Sequence, residues 1–230
     1  MEMIEELISF GLTRQEASIY LALFTDGELT GYEVAKLTGI SRSNTYNALA
    51  GLVEKGAAYV MEGNVTKYTA VNFMEFSNTI IRKLSEKQKN IYAHIPKPRN
   101  EMDGYFTIRG QQHIIDKIIT IIEETEHRLY ISLPVNLLTI IDHKLFTLIS
   151  SGKKVVILTD KPYQLAGAKI YLTKKEDCQI RLIADSQKVL TGRIDDTDEP
   201  TCLYSKNRNL VDIFKEMLKN EIKLIELGNS

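Results

Sequence analysis

Cysteines and long apolar runs are scarce in this sequence, and each shortage excludes a class of protein. Two cysteines in 230 residues, Cys178 and Cys202, form neither a disulfide framework nor a metal quartet. No apolar run reaches the roughly 18 residues that suggest a membrane-spanning helix. The start, MEMIEELISFG, is acidic where a signal peptide is basic. We therefore expect a cytoplasmic protein that does not associate with membranes.

Positive charge is also in short supply. The net charge is −1, and residues 1–72 carry five basic side chains against nine acidic ones. Any binding of nucleic acid must therefore rest on a local arrangement of side chains, because the overall field opposes it. The chain also has no glycine-rich phosphate loop and only four scattered histidines, so we expect no cofactor and no metal.

The first seventy residues contain the signals of several short helices. Thr13 with Glu16 and Thr30 with Glu33 both fit a capping box. After a short second helix, Thr38-Gly39-Ile40 predicts a tight turn, and Ser41 then caps a third helix that runs to Lys55 and stops at Gly56. The strand-like residues 57–61, a turn at 62–64 and a strand over 65–71 follow. A helix-turn-helix followed by a β-hairpin is a winged helix.

The third helix carries polar side chains that suit contact with DNA bases. In a helix-turn-helix the second helix enters the major groove, where arginine pairs with guanine and asparagine with adenine. A solvated helix face is the alternative interpretation of these side chains, and the predicted wing favours DNA. The candidate DNA-binding residues, including two in the wing, are Ser41, Arg42, Ser43, Asn44, Tyr46, Asn47, Asn64 and Lys67.

This region resembles the N-terminal domain of TrmB-type transcriptional regulators. The stretches LISFGLTRQEASIYLALF, GYEVAKLTGISRSNTYNALAGLVEKG and GNVTKYTAVN follow the family's "GLT-x-x-E-A-x-x-Y-x-x-L" helix, "I-x-R-S-x-x-Y-x-x-L-x-x-L-x-x-K-G" recognition helix and "K-Y" wing strand. The match covers about 70 residues without a gap. The resemblance implies a cytoplasmic, dimeric and ligand-responsive regulator that binds double-stranded DNA.

One long helix is predicted over residues 73–95, with Pro96 ending it. Its apolar stripe could pack on its own domain, but pairing with the same helix of a second chain is the favoured interpretation, and the family resemblance implies it too. The predicted organisation is an α+β multidomain chain. Its parts are a winged helix-turn-helix at 1–72, a linking dimerisation helix at 73–96 and an α/β domain at 103–227.

The second half alternates strands and helices, which is typical of an α/β domain. Its stretch CQIRLIADSQKVLTGRIDDTDEPTCLYSKN resembles half of a phospholipase D fold, whose enzymes carry H-x-K-x-x-x-x-D. With Asp185 on the motif aspartate, Cys178 takes the place of the nucleophilic histidine and Ile180 that of the lysine, and we expect Cys178 to lie on a strand. No H-x-K occurs in the chain, so we expect a sensor or assembly domain and no enzyme.

A small-molecule effector would bind beyond the carboxyl ends of the strands, where ligands of open α/β sheets are found. The candidate residues there are Arg109, Asp160, Lys161, Tyr163 and Asp185, each of which is more typical of an ordinary turn or surface position. Two alternatives stay open beside the ligand-responsive regulator. One is a phospholipase D-like nuclease or phosphodiesterase with a DNA-binding module, and the other is a DNA-binding protein without an effector.

Overall fold

The computed structural model describes residues 2–96, 104–173, 178–194 and 199–228. It divides into two compact units, Met1–Pro98 and Arg99–Ser230, which we treat one at a time. The predicted start of the C-terminal domain at residue 103 lies outside the described residues. Within these ranges, none of the helices combines the length and the apolar character that crossing a bilayer requires.

The first unit is mainly helical with a three-stranded antiparallel sheet in the order β1-β3-β2. Its elements are α1 (Glu2–Ser9), α2 (Arg14–Asp26), β1 (Leu29–Thr30), α3 (Gly31–Thr38), α4 (Arg42–Lys55), β2 (Ala58–Met61), β3 (Lys67–Ala70) and α5 (Phe73–His94). Both predicted capping boxes are present, on Thr13 and on Thr30. The glycine turn before α4 is present as well, with Gly39 in the left-handed conformation. The predicted winged helix is confirmed.

The core of this unit forms where α2, α4 and the start of α5 meet. Tyr20, Leu49, Leu52 and Phe76 are buried there, and the Tyr20 hydroxyl donates to the Val71 carbonyl over 2.8 Å. Burying these side chains is the main stabilising contribution. Because the inward residues of α4 recur at helical spacing, its opposite face is left on the surface.

The second unit is built on a seven-stranded mixed sheet in the order β4-β10-β9-β8-β5-β6-β7. Its elements are β4 (Tyr105–Arg109), α6 (Gln111–Glu123), β5 (Arg128–Ser132), α7 (Val135–Ser150), β6 (Lys154–Thr159), β7 (Lys169–Leu172), β8 (Gln179–Ala184), β9 (Lys188–Arg193), β10 (Thr201–Ser205) and α8 (Arg208–Gly228). Strands β5, β6 and β7 are parallel, and β8 runs opposite to β5. The predicted α/β character of this half is confirmed.

Helices cover both faces of this sheet. A large core contains Ile118 of α6 and Leu138 of α7 against Ile131 and Ile157 of the strands. A smaller core lies under α8, where Val211 and Leu218 pack among residues such as Val156 and Ile183. Alternate residues of β5, β6, β8 and β9 therefore belong to different cores, as the pleat of a sheet requires.

The model corrects one expectation about Cys178. This residue lies in a turn before β8 with a φ of 70°, and it is not on a strand. The left-handed backbone at Cys178 is not that of a strand, and the Ile194 N–H donates to the Cys178 carbonyl over 2.9 Å just beyond the β8–β9 ladder. The other cysteine, Cys202, is buried in the large core, and burial raises its pKa to about 12.

Candidate nucleic-acid interface

The outer face of α4 presents polar side chains to solvent. Ser41, Arg42, Ser43, Asn44, Tyr46 and Asn47 are all exposed. Between them, Thr45 is fully buried and its hydroxyl donates to the Ser41 carbonyl over 3.0 Å. Because Thr45 faces the core, the polar side chains around it in the first two turns of α4 point outward.

Ser41 has a structural task of its own. Its hydroxyl accepts a hydrogen bond from the Asn44 N–H and so caps the first turn of α4. A capping hydroxyl is tied to the helix it starts. Of the six exposed candidates on this helix, Ser41 is therefore the one least available for a base or phosphate.

Two aromatic side chains make contacts between α3 and α4. The Tyr46 ring lies against Gly31, where a Cβ atom would come within 2.6 Å of the ring, so only glycine fits without a shift. The Arg42 guanidinium lies over the Tyr32 ring, with Cζ 4.8 Å from its centroid. A guanidinium that rests against a ring is already restricted in its motion, so it loses less freedom when it binds DNA. Tyr32 was not among the predicted residues, and no spacing in the sequence marks it.

The wing is the β2–β3 hairpin and its connecting turn. Asn64 is exposed in that turn, and Lys67 begins β3. The Lys67 ammonium lies 3.7 Å from a Glu28 carboxylate oxygen, and both side chains are about half exposed. Such a surface pair is weak, so a phosphate can replace the carboxylate at little cost. The model thus places the predicted recognition helix and wing in one unit.

The predicted effector residues do not form one site. Arg109 ends β4 and Asp160 follows β6, and both strands run toward the same end of the sheet. Five strand positions separate β4 from β6, which corresponds to about 24 Å at ~4.8 Å per strand. Asp185 lies at the opposite end because β8 runs antiparallel to β5. Grouping these residues by strand ends fails because the sheet is mixed and wide.

Three of these residues have structural partners, and two of the three are aspartates bonded by backbone N–H groups. The Asp185 carboxylate accepts N–H bonds of 2.8, 2.9 and 2.8 Å from Glu126, His127 and Arg128. Burial alone would raise the pKa of Asp185, but these N–H groups outweigh it and lower the pKa. Asp160 likewise accepts from the Val135 N–H at the start of α7 over 3.0 Å.

Tyr163 and Lys161, which lie in the same loop as Asp160, differ in their side-chain contacts. The Tyr163 hydroxyl donates to Asp142, and burial together with that carboxylate raises the Tyr163 pKa. Lys161 is exposed. The loop after β6 thus leaves Lys161 as its one candidate whose side chain has no hydrogen-bond or ion-pair partner among the described residues.

Two family models match the chain. "Sugar-specific transcriptional regulator TrmB" matches residues 7–74, and "Transcriptional regulator TrmB, EBD N-terminal subdomain" matches residues 104–221. The protein YrhO of Bacillus subtilis, described as uncharacterized, is 24% identical over 98% of this chain and 86% of its own length.

Two solved structures are also similar. TrmBL2, described as an archaeal chromatin protein with a novel mode of DNA binding, is 21% identical over 96% of this chain and 97% of its own, with a TM-score of 0.46. NucT from Helicobacter pylori is 13% identical over 52% of this chain and 96% of its own, with a TM-score of 0.43. Both TM-scores are below 0.5, and the phospholipase D-like half stays a prediction.

The winged helix with its exposed polar recognition helix defines a DNA-binding protein of the helix-turn-helix class. The second family match alone spans just over half of the chain. The chain therefore belongs to the TrmB family of transcriptional regulators. The class predicted from the sequence, a DNA-binding transcriptional regulator of the TrmB type, is confirmed.

Proposed function

We propose that this regulator reads duplex DNA as a homodimer, with α4 in the major groove and the β2–β3 wing on the backbone. The exposed polar face of α4 carries the proposal. Four of its side chains, Arg42, Ser43, Asn44 and Asn47, are short or forked hydrogen-bonding groups in the first two turns. Those turns are the part of a recognition helix that reaches base edges.

The positions of the side chains suggest which of them contact bases and which contact phosphates. Arg42 is presented over Tyr32 and can pair with guanine, while Asn44 and Asn47 suit adenine. Lys67 and Asn64 lie in the wing and suit phosphates. Because residues 1–72 are net acidic, the attraction to the DNA phosphates has to come from the few cations that face the duplex, such as Arg42 and Lys67.

Dimerisation is proposed to occur through α5. The first turns of this helix pack on their own unit through Phe73, Phe76 and Ile80. Further along, the side chains of Ile81, Leu84, Ile91 and Ile95 are each more than half exposed. A long helix with such a stripe buries it best against a second copy, and a paired helix also sets the distance between two recognition helices.

We further propose that the C-terminal unit has no hydrolytic activity and acts as a sensor or assembly module in the cytoplasm. The histidine–lysine pair of the phospholipase D enzymes is replaced by Cys178 and Ile180, and the aligned Asp185 carboxylate is occupied by three backbone N–H groups. Among the described residues, no group of three or more histidine, cysteine, aspartate or glutamate side chains is arranged to hold a metal ion. If the chain were a phospholipase D-like nuclease, it would cleave phosphodiesters, whereas under this proposal it cleaves none.

Selection from a pool of genomic duplex fragments tests the DNA-binding part directly. The full-length chain is expected to enrich one sequence with two related half-sites, and its affinity is expected to fall steeply with salt. The same preparation is incubated with labelled duplex and single-stranded DNA to detect cleavage. Recovery of no enriched sequence, or cleavage abolished by Asp185→Asn, would contradict the proposal.

A further inference from the structure

A basic cleft lies between α8 and the sheet, at the edge where β5, β6 and β7 begin. Its volume is about 320 Å³, within the range of small-molecule sites. Six cationic side chains line it, together with one carboxylate, that of Glu226. The cations are Arg128, Lys154, Lys169, Lys215, Lys219 and Lys223.

The fold brings these charges together from two directions. Arg128, Lys154 and Lys169 are the first residues of three neighbouring parallel strands, and Arg128 pairs directly with Lys154 in the ladder. Lys215, Lys219 and Lys223 follow one another at intervals of four on α8, so they share one face of the helix. Two rows of cations thus flank one concave space.

Few carboxylates among the described residues neutralise this charge. Lys169 pairs with Glu226 at 3.0 Å, and Lys219 lies 3.7 Å from Glu216. In the part of the chain that the structure describes, no ion pair involves the side chains of Arg128, Lys154, Lys215 or Lys223. An anion in the cleft would therefore meet cations that mostly have no carboxylate partner in the described part of the chain.

The floor of the cleft is apolar. Val156, Ile183 and Leu218 are buried there, and the rings of Tyr130 and Tyr171 line its sides. Aromatic and aliphatic walls suit an organic body, whereas the surrounding lysines and arginine suit a phosphoryl group. A concave site of this size fits a small molecule better than the broad, convex backbone of duplex DNA.

We infer that this cleft binds a small phosphorylated organic molecule, with the phosphoryl group between the two rows of cations and the organic part on the apolar floor. The site is separate from four of the effector residues predicted at the strand ends. The fifth, Asp185, borders it, since its carboxylate accepts the Arg128 N–H over 2.8 Å and Ser186 lines the cleft. The cleft lies beside the first residues of β5 and β6, whereas Asp160 and Lys161 follow the last residue of β6. The inference does not depend on the DNA-binding proposal, because it concerns side chains of the second unit alone.

The test uses the full-length protein and defined probes. Thermal unfolding and calorimetric titration are measured with adenosine monophosphate, ribose 5-phosphate, pyrophosphate, inorganic phosphate and adenosine. A ligand that binds only the folded state raises the melting temperature. The phosphorylated organic probes are expected to stabilise the protein more than inorganic phosphate does, and adenosine is expected to have no effect.

Variants locate the binding. Lys215→Gln/Lys223→Gln is expected to raise the Kd by about tenfold or more, since charge-assisted hydrogen bonds to phosphate are strong. Lys154→Gln, on the strand side, is expected to weaken binding as well and serves if the double variant folds poorly. Lys206→Gln/Arg208→Gln removes two charges outside the cleft and is expected to leave the Kd unchanged.

Several outcomes would overturn the inference. One is that none of the phosphorylated probes stabilises the wild-type protein, and another is that both double variants bind equally well. Equal binding of inorganic phosphate and the organic phosphates would refute the role of the apolar floor. If the cleft variants lost affinity for random duplex DNA while no small phosphate bound, the cleft would be a DNA-backbone patch instead.

Discussion

At the scale of single residues, Arg42 and Lys67 are proposed to have different tasks in DNA binding. Arg42→Ala is expected to cost about 1–3 kcal/mol at the selected site and to relax the preference at one base pair, because a bidentate contact to a base is lost. Fluorescence anisotropy with the selected duplex and its single-base variants measures both effects. Arg14→Ala is the matched control, since Arg14 is exposed on α2 and paired with Glu5.

The Lys67→Ala variant is expected to behave differently in the same assay. It should weaken binding to the selected and to random duplexes alike and reduce the slope of log affinity against log salt by about 1, as the loss of one phosphate contact requires. Equal losses on every sequence for both Lys67→Ala and Arg42→Ala would show that the two roles are wrongly assigned.

Another residue-scale prediction concerns Glu16, which ties α2 to α4. Its buried carboxylate accepts bonds from the Lys55 ammonium at 2.5 Å and from the Thr13 N–H at 2.6 Å. Burial acts to raise the Glu16 pKa, but the bonds from Lys55 and Thr13 outweigh it and lower the pKa below 4.5. The stabilisation is therefore complete above pH 4.5 and is lost as the pH falls through the lower pKa of the folded state.

Glu16→Gln is expected to remove about 1.5–3 kcal/mol of stability near pH 7, because hydrogen bonds to charged groups are worth that much. Hydrogen exchange of peptides from α2 and α4 in the full-length protein measures the change locally. Glu5→Gln breaks an exposed pair and should cost less than about 1 kcal/mol. If Glu16→Gln changed the hydrogen-exchange rates at pH 7 no more than Glu5→Gln does, the buried hydrogen bonds of Glu16 would stabilise the fold no more than an exposed ion pair.

At the scale of elements, α5 is the part proposed to decide the oligomeric state. Replacing Leu84 and Ile91 together by serine is expected to shift the protein from dimer to monomer, since both side chains are exposed members of the apolar stripe. Analytical ultracentrifugation over a range of concentrations gives the result. Lys83→Ser/Lys89→Ser is the control, and a dimer of unchanged strength in the Leu84/Ile91 variant would contradict the proposed interface.

The elements also show what a single sequence can predict. Capping boxes, glycine stops and helical periodicity located α2, α3, α4 and α5, because these signals are local. The edge strand β7 and the two-residue strand β1 were missed, since so few residues carry no periodic pattern. The positive φ of Cys178 was missed too, because non-glycine residues rarely adopt it and nothing beside it in the sequence marks a turn.

The candidate sites also differ in whether the sequence could predict them. The α4 face could be predicted because its side chains are neighbours in one helix. The wide separation of Arg109 from Asp160 and the basic cleft could not, since both depend on strand order. Arg128, Lys154 and Lys169 come together only because three distant segments pair in parallel register.

At the scale of the whole molecule, the central claim is that two chains place two α4 helices on one duplex. Hydroxyl-radical footprinting of the full-length protein on its selected duplex tests this most directly. The account predicts two protected half-sites with centres about one helical turn apart, and loss of both footprints in Arg42→Ala at a concentration that saturates the wild-type protein. A single protected half-site, or a footprint that Arg42→Ala leaves unchanged, would contradict it.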